Sequence, residues 1–538
     1  MNINMYLKRK TPEYRQNLKT YRVFGLSSFF FLSSLFSFLL FFGCTHTTNT
    51  RQEADNVNGF FADAGSFKII NYEGKKNVIR VNGANTQWAI LMYSLSEYAG
   101  KEIAIQISAN VKRTGAAGNL NWQVNNAPYY PSASFIENAA QGVWHNMRGR
   151  LIVTPANDEP YLYLTNWENN SQKTVYYIAD PVVTIREGGV LNPDLALKPL
   201  KSIYEKDFLI GNITDGTYMS GKHFDLLKHH YNAVTLTSTY PFVLAPSKGA
   251  YQWETADQQT NLMRGNNIYV HGHCLVWHEL APKWMTTGTR AEVEKNLKDY
   301  IATVLAHFKG AIASWDVVNE AMRDGLSAAE TSGDWKKCIR NSQNPWYDRL
   351  GPDYVEISFR AARAADPDII LYYNDYGLED PNKAEAVRKM IKDINDRYKN
   401  ETGGGRNLIE GAGSQSHMFE FRKLNMDNVR LSLEKLVSLG VEISISELDL
   451  SLIAYERGSG RDTDMSEADE TAQARYYAQL FKLYKEYSKY IKRVTMWGMD
   501  DGTSWISAGN PCLFDWKLNA KKAFYAVSAP EAFLAAAP

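Results

Sequence analysis

The chain has 538 residues, which is more than one ordinary domain needs and enough to bury a large core. Its 59 basic and 59 acidic residues cancel, so the composition argues against nucleic acid as a partner. The 13 Trp and 32 Tyr residues offer flat apolar faces on which sugars stack, although aromatic residues also fill ordinary cores.

The N-terminal segment, residues 1–43, has the pattern of an export signal. Residues 1–22 hold six basic residues and one acidic residue, and residues 23–43 are uncharged and rich in Phe and Leu. This is the order of charged and apolar regions in a secretory signal. Because Cys44 follows directly, the segment resembles a bacterial lipoprotein signal, with cleavage before Cys44 and lipid on its sulfur. The alternative is a single membrane-spanning anchor, since 21 uncharged residues are long enough to cross a bilayer.

Both interpretations place the rest of the chain outside the inner membrane and tethered to the bacterial cell envelope. The lipoprotein interpretation predicts a lipid anchor at the outer membrane or cell surface. Residues 44–57 are polar and rich in Thr and Asn, which is typical of a flexible tether. The three other cysteines, Cys274, Cys338 and Cys512, show neither CxxC spacing nor paired histidines. We therefore expect free buried thiols there, not a zinc site.

Residues 58–187 contain short segments in which apolar and polar residues alternate. Examples are residues 78–81, 102–108, 151–154 and 174–178. Several such segments separated by turn-forming clusters predict an antiparallel β-sandwich. Many exported glycan-binding modules have this architecture, so we expect a carbohydrate-binding module. Aromatic residues that could stack on a sugar, or could equally belong to the core or surface, are Trp88, Trp122, Tyr129, Tyr130 and Trp167.

Residues 188–200 contain two Gly and two Pro, which is typical of a linker. In residues 201–538 short apolar segments alternate with long helical ones. The strand candidates are Phe208–Asn212, Ala233–Thr237, Ile268–His273, Ser314–Asn319, Ile369–Asn374, Gly411–Met418, Glu442–Ile445 and Arg493–Trp497. Eight strand–helix units predict an α/β fold, a (β/α)8 TIM barrel. An open doubly wound sheet is the alternative, but no GxGxxG follows the first strand.

Two glutamates follow strand candidates of the predicted barrel. Glu320 ends the segment 314–320, and Glu447 lies in the segment 443–449. The C-terminal ends of the strands form the catalytic face of such a barrel. Two carboxylates that meet there can cleave a glycosidic bond if one is protonated and the other is ionised.

Other strand-end residues could support these carboxylates. Asn319 could hold a substrate hydroxyl as charge develops on the sugar. His417 is the candidate to hold an ionised Glu447, and Asp449 could orient His417. The three histidines in residues 271–278 could instead indicate a metal. Because sugar sites in barrels also use histidine as a hydrogen-bond donor, we expect no metal and no other cofactor.

Together these residues resemble glycoside hydrolase family 10, the xylanase family. The matching stretches follow the family's order and are residues 272–278, 315–321, 374–376, 413–417, 446–449 and 497–505. The resemblance implies a retaining, endo-acting β-1,4-xylanase with Glu320 as the acid/base and Glu447 as the nucleophile. It also implies that Trp505 closes over the glycone side. The residues that it implies around the substrate are His273, Trp277, Asn319, Tyr376, Gln415, His417 and Trp497.

One stretch departs from the family pattern. After the second strand the family usually carries Thr-Pro-Glu-Asn and then a Lys, which grip the sugars on the glycone side. Here residues 235–242 contain neither Glu nor Lys, and Leu280 stands where the family has a Gln. A buried sugar hydroxyl without a partner costs about 1–3 kcal/mol. A site without these partners should bind xylose units weakly or prefer another sugar. Tyr240 and Phe242 could replace the hydrogen bonds by stacking, or a shift of the loop could supply other polar groups.

Our main interpretation is therefore a tethered, monomeric enzyme that cleaves xylan by double displacement. A second hypothesis keeps the mechanism but assigns a different or decorated β-linked polysaccharide. A third, of another class, is a surface glycan-binding lipoprotein whose barrel does not turn over.

Overall fold

The computed structural model describes residues 59–62, 67–82, 89–125, 132–157, 159–166, 174–188, 190–214, 216–455 and 464–536. The predicted signal, Cys44 and the tether lie outside these residues, as do Trp88, Tyr129, Tyr130 and Trp167. Within the described residues, no helix is both long enough and apolar enough to cross a membrane.

The N-terminal part folds into two antiparallel sheets of five strands each, which confirms the predicted sandwich-like architecture. One sheet has the order β1-β4-β9-β6-β7 and the other β2-β3-β10-β5-β8. The strands are β1 (Phe60–Phe61), β2 (Phe67–Tyr72), β3 (Lys75–Asn82), β4 (Leu91–Ser94), β5 (Ile103–Arg113), β6 (Gly118–Val124), β7 (Ser132–Ala139), β8 (Trp144–Val153), β9 (Tyr161–Thr165) and β10 (Val175–Glu187).

The core of the sandwich follows from the alternation along its strands. In β5, Ile105 and Ile107 are buried while Gln106 and Ser108 between and beyond them are partly exposed. Trp122 of β6 also points inward and has no exposed surface, so the prediction that Trp122 could stack on a sugar is wrong. A ring inside the sandwich core stabilises the fold but cannot contact a polysaccharide.

The C-terminal part is a closed barrel of eight parallel strands, which confirms the predicted TIM barrel. The ring closes because β16 pairs with both β15 and β18. The strands are β11 (Leu209–Thr214), β12 (Ala233–Leu236), β13 (Tyr269–Trp277), β14 (Ser314–Asn319), β15 (Ile370–Asp375), β16 (Gly411–Ser414), the short β17 (His417–Met418), β18 (Glu442–Leu450) and β19 (Ile491–Met496).

Helices surround the barrel and bury their apolar sides against it. Helix α6 shows how the sequence starts them, because Thr289 and Glu292 form a capping box at its N-terminus. The helices are α1 (Leu200–Ile203), α2 (Gly221–His230), α3 (Pro241–Leu244), α4 (Glu254–Gly265), α5 (Lys283–Thr286), α6 (Arg290–His307), α7 (Ala328–Ser332), α8 (Pro345–Leu350), α9 (Tyr354–Ala365), α10 (Pro381–Thr402), α11 (Met426–Val437), α12 (Glu467–Glu486), α13 (Lys522–Ser528) and α14 (Pro530–Ala535).

Two strands differ from their predicted bounds, and both differences affect the site. The segment predicted as Gly411–Met418 is broken after Ser414, and Ser416 has a left-handed backbone with φ 59°. β18 runs on to Leu450, so Glu447 lies within a strand and not at its end. The extension has partners because β17 pairs with it, with His417 opposite Asp449.

The cysteines of the barrel behave as predicted. Cys274, Cys338 and Cys512 are all buried and none forms a disulfide. Burial raises the pKa of the Cys274 and Cys512 thiols well above the ordinary value, so both remain uncharged.

Candidate active site

Glu320 directly follows β14 and turns its carboxyl into the barrel mouth. Its backbone has φ 59°, the left-handed region that side chains other than glycine rarely adopt. The carboxyl accepts a hydrogen bond from Trp277 Nε1 at 2.7 Å and another from Gln415 Nε2 at 2.9 Å. Each donor binds one of the two carboxyl oxygens, and the end of the strand fixes the backbone. The scaffold therefore sets the position of the carboxyl group.

The surroundings of Glu320 favour its protonated form. Burial raises its pKa to about 7, and the nearby carboxylates of Asp375, Glu279 and Glu447 add to that shift. Gln415 acts in the opposite direction by donating to the carboxylate. A carboxylic acid with this pKa still carries its proton near neutral pH and can give it to a leaving group.

Glu447 is also buried, but its surroundings consist of donors. Asn374 Nδ2 donates to its Oε1 at 2.8 Å, and His417 Nε2 lies 3.2 Å from its Oε2. His273 Nε2 lies 3.9 Å from Oε1. Both oxygens of Glu447 are therefore held by neighbouring side chains, which fixes the orientation of a carboxyl group that could attack carbon.

His417, Asp449 and Trp505 form a chain behind Glu447. Asp449 Oδ2 lies 3.0 Å from His417 Nδ1 and accepts a hydrogen bond from Trp505 Nε1 at 2.8 Å. Burial by itself would lower the pKa of His417, but the carboxylates of Asp449 and Glu447 raise it to about 10. His417 is therefore a cation at neutral pH and places a positive charge beside the Glu447 carboxyl group.

Side-chain amides connect the two carboxyl groups. Asn319 Oδ1 accepts from Asn374 Nδ2 at 2.9 Å and from Gln415 Nε2 at 3.2 Å. These two amides also bind Glu447 and Glu320 respectively. The Asn319 Nδ2 group is buried and has no hydrogen-bond partner among the described residues, so it is available to a substrate hydroxyl.

Two residues of this network were not singled out by the sequence analysis. Asn374 binds Glu447, and Asp316 binds His273 Nδ1 at 2.7 Å and lies 3.0 Å from His271 Nε2. Their signal was present, since each lies in a stretch that matches the family motifs. Asp316 therefore orients His273 by a hydrogen bond and also lies within ion-pair distance of His271.

The aromatic candidates are grouped around these residues. Trp497 packs edge-on against His273 and His417, with ring centroids 5.8 and 6.2 Å apart. Trp505 packs against His417 at 4.9 Å. The structure thus brings together all predicted site residues of the barrel except Tyr376 around the two carboxyl groups.

Tyr376 belongs to a neighbouring charged cluster. Its hydroxyl donates to Asp324 and accepts from Arg340 Nη2 at 2.7 Å, and Lys383 Nζ lies 3.7 Å from its ring centroid. A role for Tyr376 in substrate binding stays a prediction.

The stretch that departs from the family pattern forms an apolar wall beside the site. The Thr237 hydroxyl donates to Thr214 O at 2.8 Å, and the Ser238 hydroxyl donates to Gln259 Oε1 at 2.7 Å. Both bonds are within the protein and both residues are buried. The residues of the wall, which pack together, are Tyr240, Phe242, Val243, Cys274, Trp277 and Leu280.

Comparison with known proteins identifies the barrel. The family model described as glycosyl hydrolase family 10 matches residues 199–530, which is more than half of the chain. The chain belongs to glycosyl hydrolase family 10. The matched residues contain every strand of the barrel and both Glu320 and Glu447.

Curated relatives of this family 10 chain include xylanases and one exoglucanase. It is 32% identical over 346 residues to a β-1,4-xylanase of Dictyoglomus thermophilum, covering 62% of this chain and 91% of that one. It is also 32% identical over 435 residues to exoglucanase XynX of Acetivibrio thermocellus, covering 76% of this chain. That alignment covers 37% of the relative, so this chain spans little more than a third of its length.

A solved structure shows the same fold. It is a mutant of an intracellular xylanase from Thermoanaerobacterium saccharolyticum in complex with xylotriose. The two chains are 33% identical with a TM-score of 0.54, and the match covers 62% of this chain and 98% of the other.

Proposed function

We propose that this protein is an endo-acting β-1,4-xylanase that retains the anomeric configuration through double displacement. The observation that carries the proposal is the contrast between two buried carboxyl groups. Glu320 is kept protonated by burial and neighbouring negative charge, whereas Glu447 is surrounded by donors. A retaining glycosidase requires one carboxyl group that gives a proton and a second that is held in place to attack carbon.

In the first step the Glu447 carboxylate attacks the anomeric carbon of the sugar on the glycone side. As that bond forms, the glycosidic C–O bond breaks and Glu320 gives its proton to the departing oxygen. In the second step the ionised Glu320 takes a proton from water, and the resulting nucleophile displaces Glu447. The chain is cut with one water consumed, and both glutamates return to their starting states.

The residues around the pair support these steps. His417 and Asn374 hold Glu447 in place, and Gln415 and Trp277 do the same for Glu320. The free Nδ2 of Asn319 is placed to donate a hydrogen bond to a sugar hydroxyl. We propose that His273, Trp497 and Trp505 line the sugar at the cleavage point.

The apolar wall supports a second candidate, the same mechanism on a different or decorated β-linked polysaccharide. The side chains of Thr237 and Ser238 form hydrogen bonds within the protein. The ring of Tyr240 packs against His273 at the edge of the site, with ring centroids 5.4 Å apart. Aromatic faces bind apolar sugar faces, and they accept substituents that a tight set of hydrogen bonds would exclude. A similarity to an exoglucanase agrees with keeping glucans among the candidates.

Release of reducing sugar from a panel of purified polysaccharides tests these candidates. We expect the highest kcat/KM on xylan, with products of several units that show internal cleavage. Higher kcat/KM on a β-glucan or only on a substituted xylan would favour the second candidate. Binding without release of sugar from any of them would mean that the barrel is a glycan-binding protein, and the catalytic proposal would be wrong.

We also propose that lipid on Cys44 holds the enzyme at the cell envelope. The proposal is supported by the basic, apolar and Gly-Cys pattern of residues 1–44. Cys44→Ser is expected to prevent incorporation of a labelled fatty acid and to release the protein from the membrane fraction, whereas Cys338→Ser should leave both unchanged. A parent protein that incorporates no labelled fatty acid and stays in the membrane fraction with its N-terminal segment uncleaved would instead establish the membrane-spanning anchor.

A further inference from the structure

The sandwich contacts the barrel at the long loop that follows β19 and carries Trp505. A cavity between the two domains is lined from both sides. Its residues include Arg150, Leu151 and Ile152 of β8 and Asp500, Gly502 and Trp516 of the barrel. The sandwich therefore lies directly against a loop of the candidate active site.

Arg150 makes one of the polar contacts across this boundary, and the ion pair of Lys222 with Glu102, at 3.0 Å, is another. Its guanidinium carbon lies 4.4 Å from the centroid of the Trp516 ring, and its Nη1 lies 2.8 Å from Asp464 Oδ1. The Arg150 side chain is only 6% exposed. A planar guanidinium that stacks on an aromatic ring and also forms an ion pair is held in one orientation. Arg150 thus joins two barrel connections, the one before α12 and the one after β19.

A series of contacts within the loop after β19 connects Trp516 with Trp505. A Cβ on Gly502 would lie 2.9 Å from the Trp516 Cβ, so the Gly502 backbone packs directly against this residue. The Asp500 carboxylate fixes the turn by accepting from the Gly502 amide at 2.8 Å. Three residues further on, Trp505 donates to Asp449. Asp449 in turn contacts the histidine that holds the candidate nucleophile.

The loop after β18 provides a second connection. Tyr455 lies in the same connection as Asp464 and packs against Trp505 with ring centroids 5.8 Å apart. Phe419 packs against both rings, at 5.2 Å from Tyr455 and 6.2 Å from Trp505. Tyr455 and Phe419 therefore belong to the surroundings of Trp505.

We propose that Arg150 is a positioning residue for the substrate site. By stacking on Trp516 and pairing with Asp464, it holds the loop in the place where Trp505 covers Asp449 and His417. The sandwich is then a part of the catalytic unit, whether or not it binds a polysaccharide itself. The inference rests on the proposed function only for the substrate used in its test.

A double-mutant cycle in the full chain tests this role. Arg150→Ala is expected to raise KM for a xylooligosaccharide about 3- to 10-fold and to change kcat on an aryl xyloside with a good leaving group less than about 2-fold. In a Trp505→Ala background the same change should leave KM unaltered, because its effect acts through Trp505. Arg148→Ala, an exposed arginine on the same strand, should leave KM unchanged in both backgrounds.

An unchanged KM in Arg150→Ala would overturn the proposal. So would an increase by the same factor in both backgrounds, because it would show that Arg150 only joins the domains. If Arg150→Ala does not fold, Arg150→Lys keeps the charge but loses the planar stack, and the same comparison applies. A parent enzyme inactive on xylan would refute the proposed substrate, and the cycle would then be measured on the polysaccharide that the panel identifies.

Discussion

Glu447→Gln is expected to lower kcat on xylan by about 10⁴-fold or more, with little change in KM. The amide has nearly the same shape and its one oxygen can still accept a hydrogen bond from Asn374 or His417, but it cannot form the glycosyl ester on which double displacement depends. The loss should therefore come from the chemical step and not from a damaged site. Initial rates of reducing-sugar release and the melting temperature of the variant measure both quantities.

A matched control for Glu447 lies on the same strand. Glu442 is at the opposite end of β18, where its carboxylate accepts from the Tyr372 hydroxyl. Glu442→Gln should keep kcat within about 3-fold of the parent, because it removes a carboxylate from the strand without touching the barrel mouth. If Glu447→Gln kept more than about 1% of the parent kcat, Glu447 could not be the nucleophile.

The kcat/KM of the parent on xylan is expected to fall as the pH rises through about 7, where Glu320 loses its proton. Only the protonated form can act as the acid, so activity is present below this pKa and lost above it. Glu320→Ala should remove this basic limb and lower kcat/KM on xylan by about 10²- to 10⁴-fold. The loss should be much smaller on aryl glycosides, whose leaving groups need no proton.

The neighbouring Glu279 offers a control for the origin of the high pKa. It is exposed, lies close to Glu320 and raises the pKa of that group by like-charge repulsion. Glu279→Gln should move the basic limb to lower pH without abolishing activity. A basic limb that persists unchanged in Glu320→Ala would assign the titration to another group and contradict the acid/base role.

Much of the barrel could be predicted because its strands are short apolar segments between helices. The strand predicted at Ser314–Asn319 has the same bounds as β14, because the run of apolar residues stops just before Glu320, where the chain leaves the strand. The extension of β18 past Glu447 was missed because Glu447 and Asp449 interrupt the apolar run. Its continuation depends on pairing with β17, a contact between segments that are distant in the sequence.

The parts of the site that were missed depend on tertiary contacts. Asn374 lies in a stretch that matches the family, but that its amide binds Glu447 follows only from the folded barrel. Trp122 could not be assigned to the core because alternation along one strand does not show which face is covered. The stacking of Arg150 on Trp516 joins two domains and follows only from how they dock.

A covalent label on the nucleophile would establish the mechanism in a single experiment. In a 2-fluoro xylobioside the fluorine slows both steps, and a good leaving group makes the first step fast again. The glycosyl-enzyme then forms faster than it is hydrolysed, so it accumulates. We predict a mass increase of one fluoroxylobiosyl group on the intact enzyme and, after digestion, on the peptide that contains Glu447. A label on Glu320 would contradict double displacement through Glu447. So would the absence of a label from both glutamates in an enzyme that still cleaves xylan.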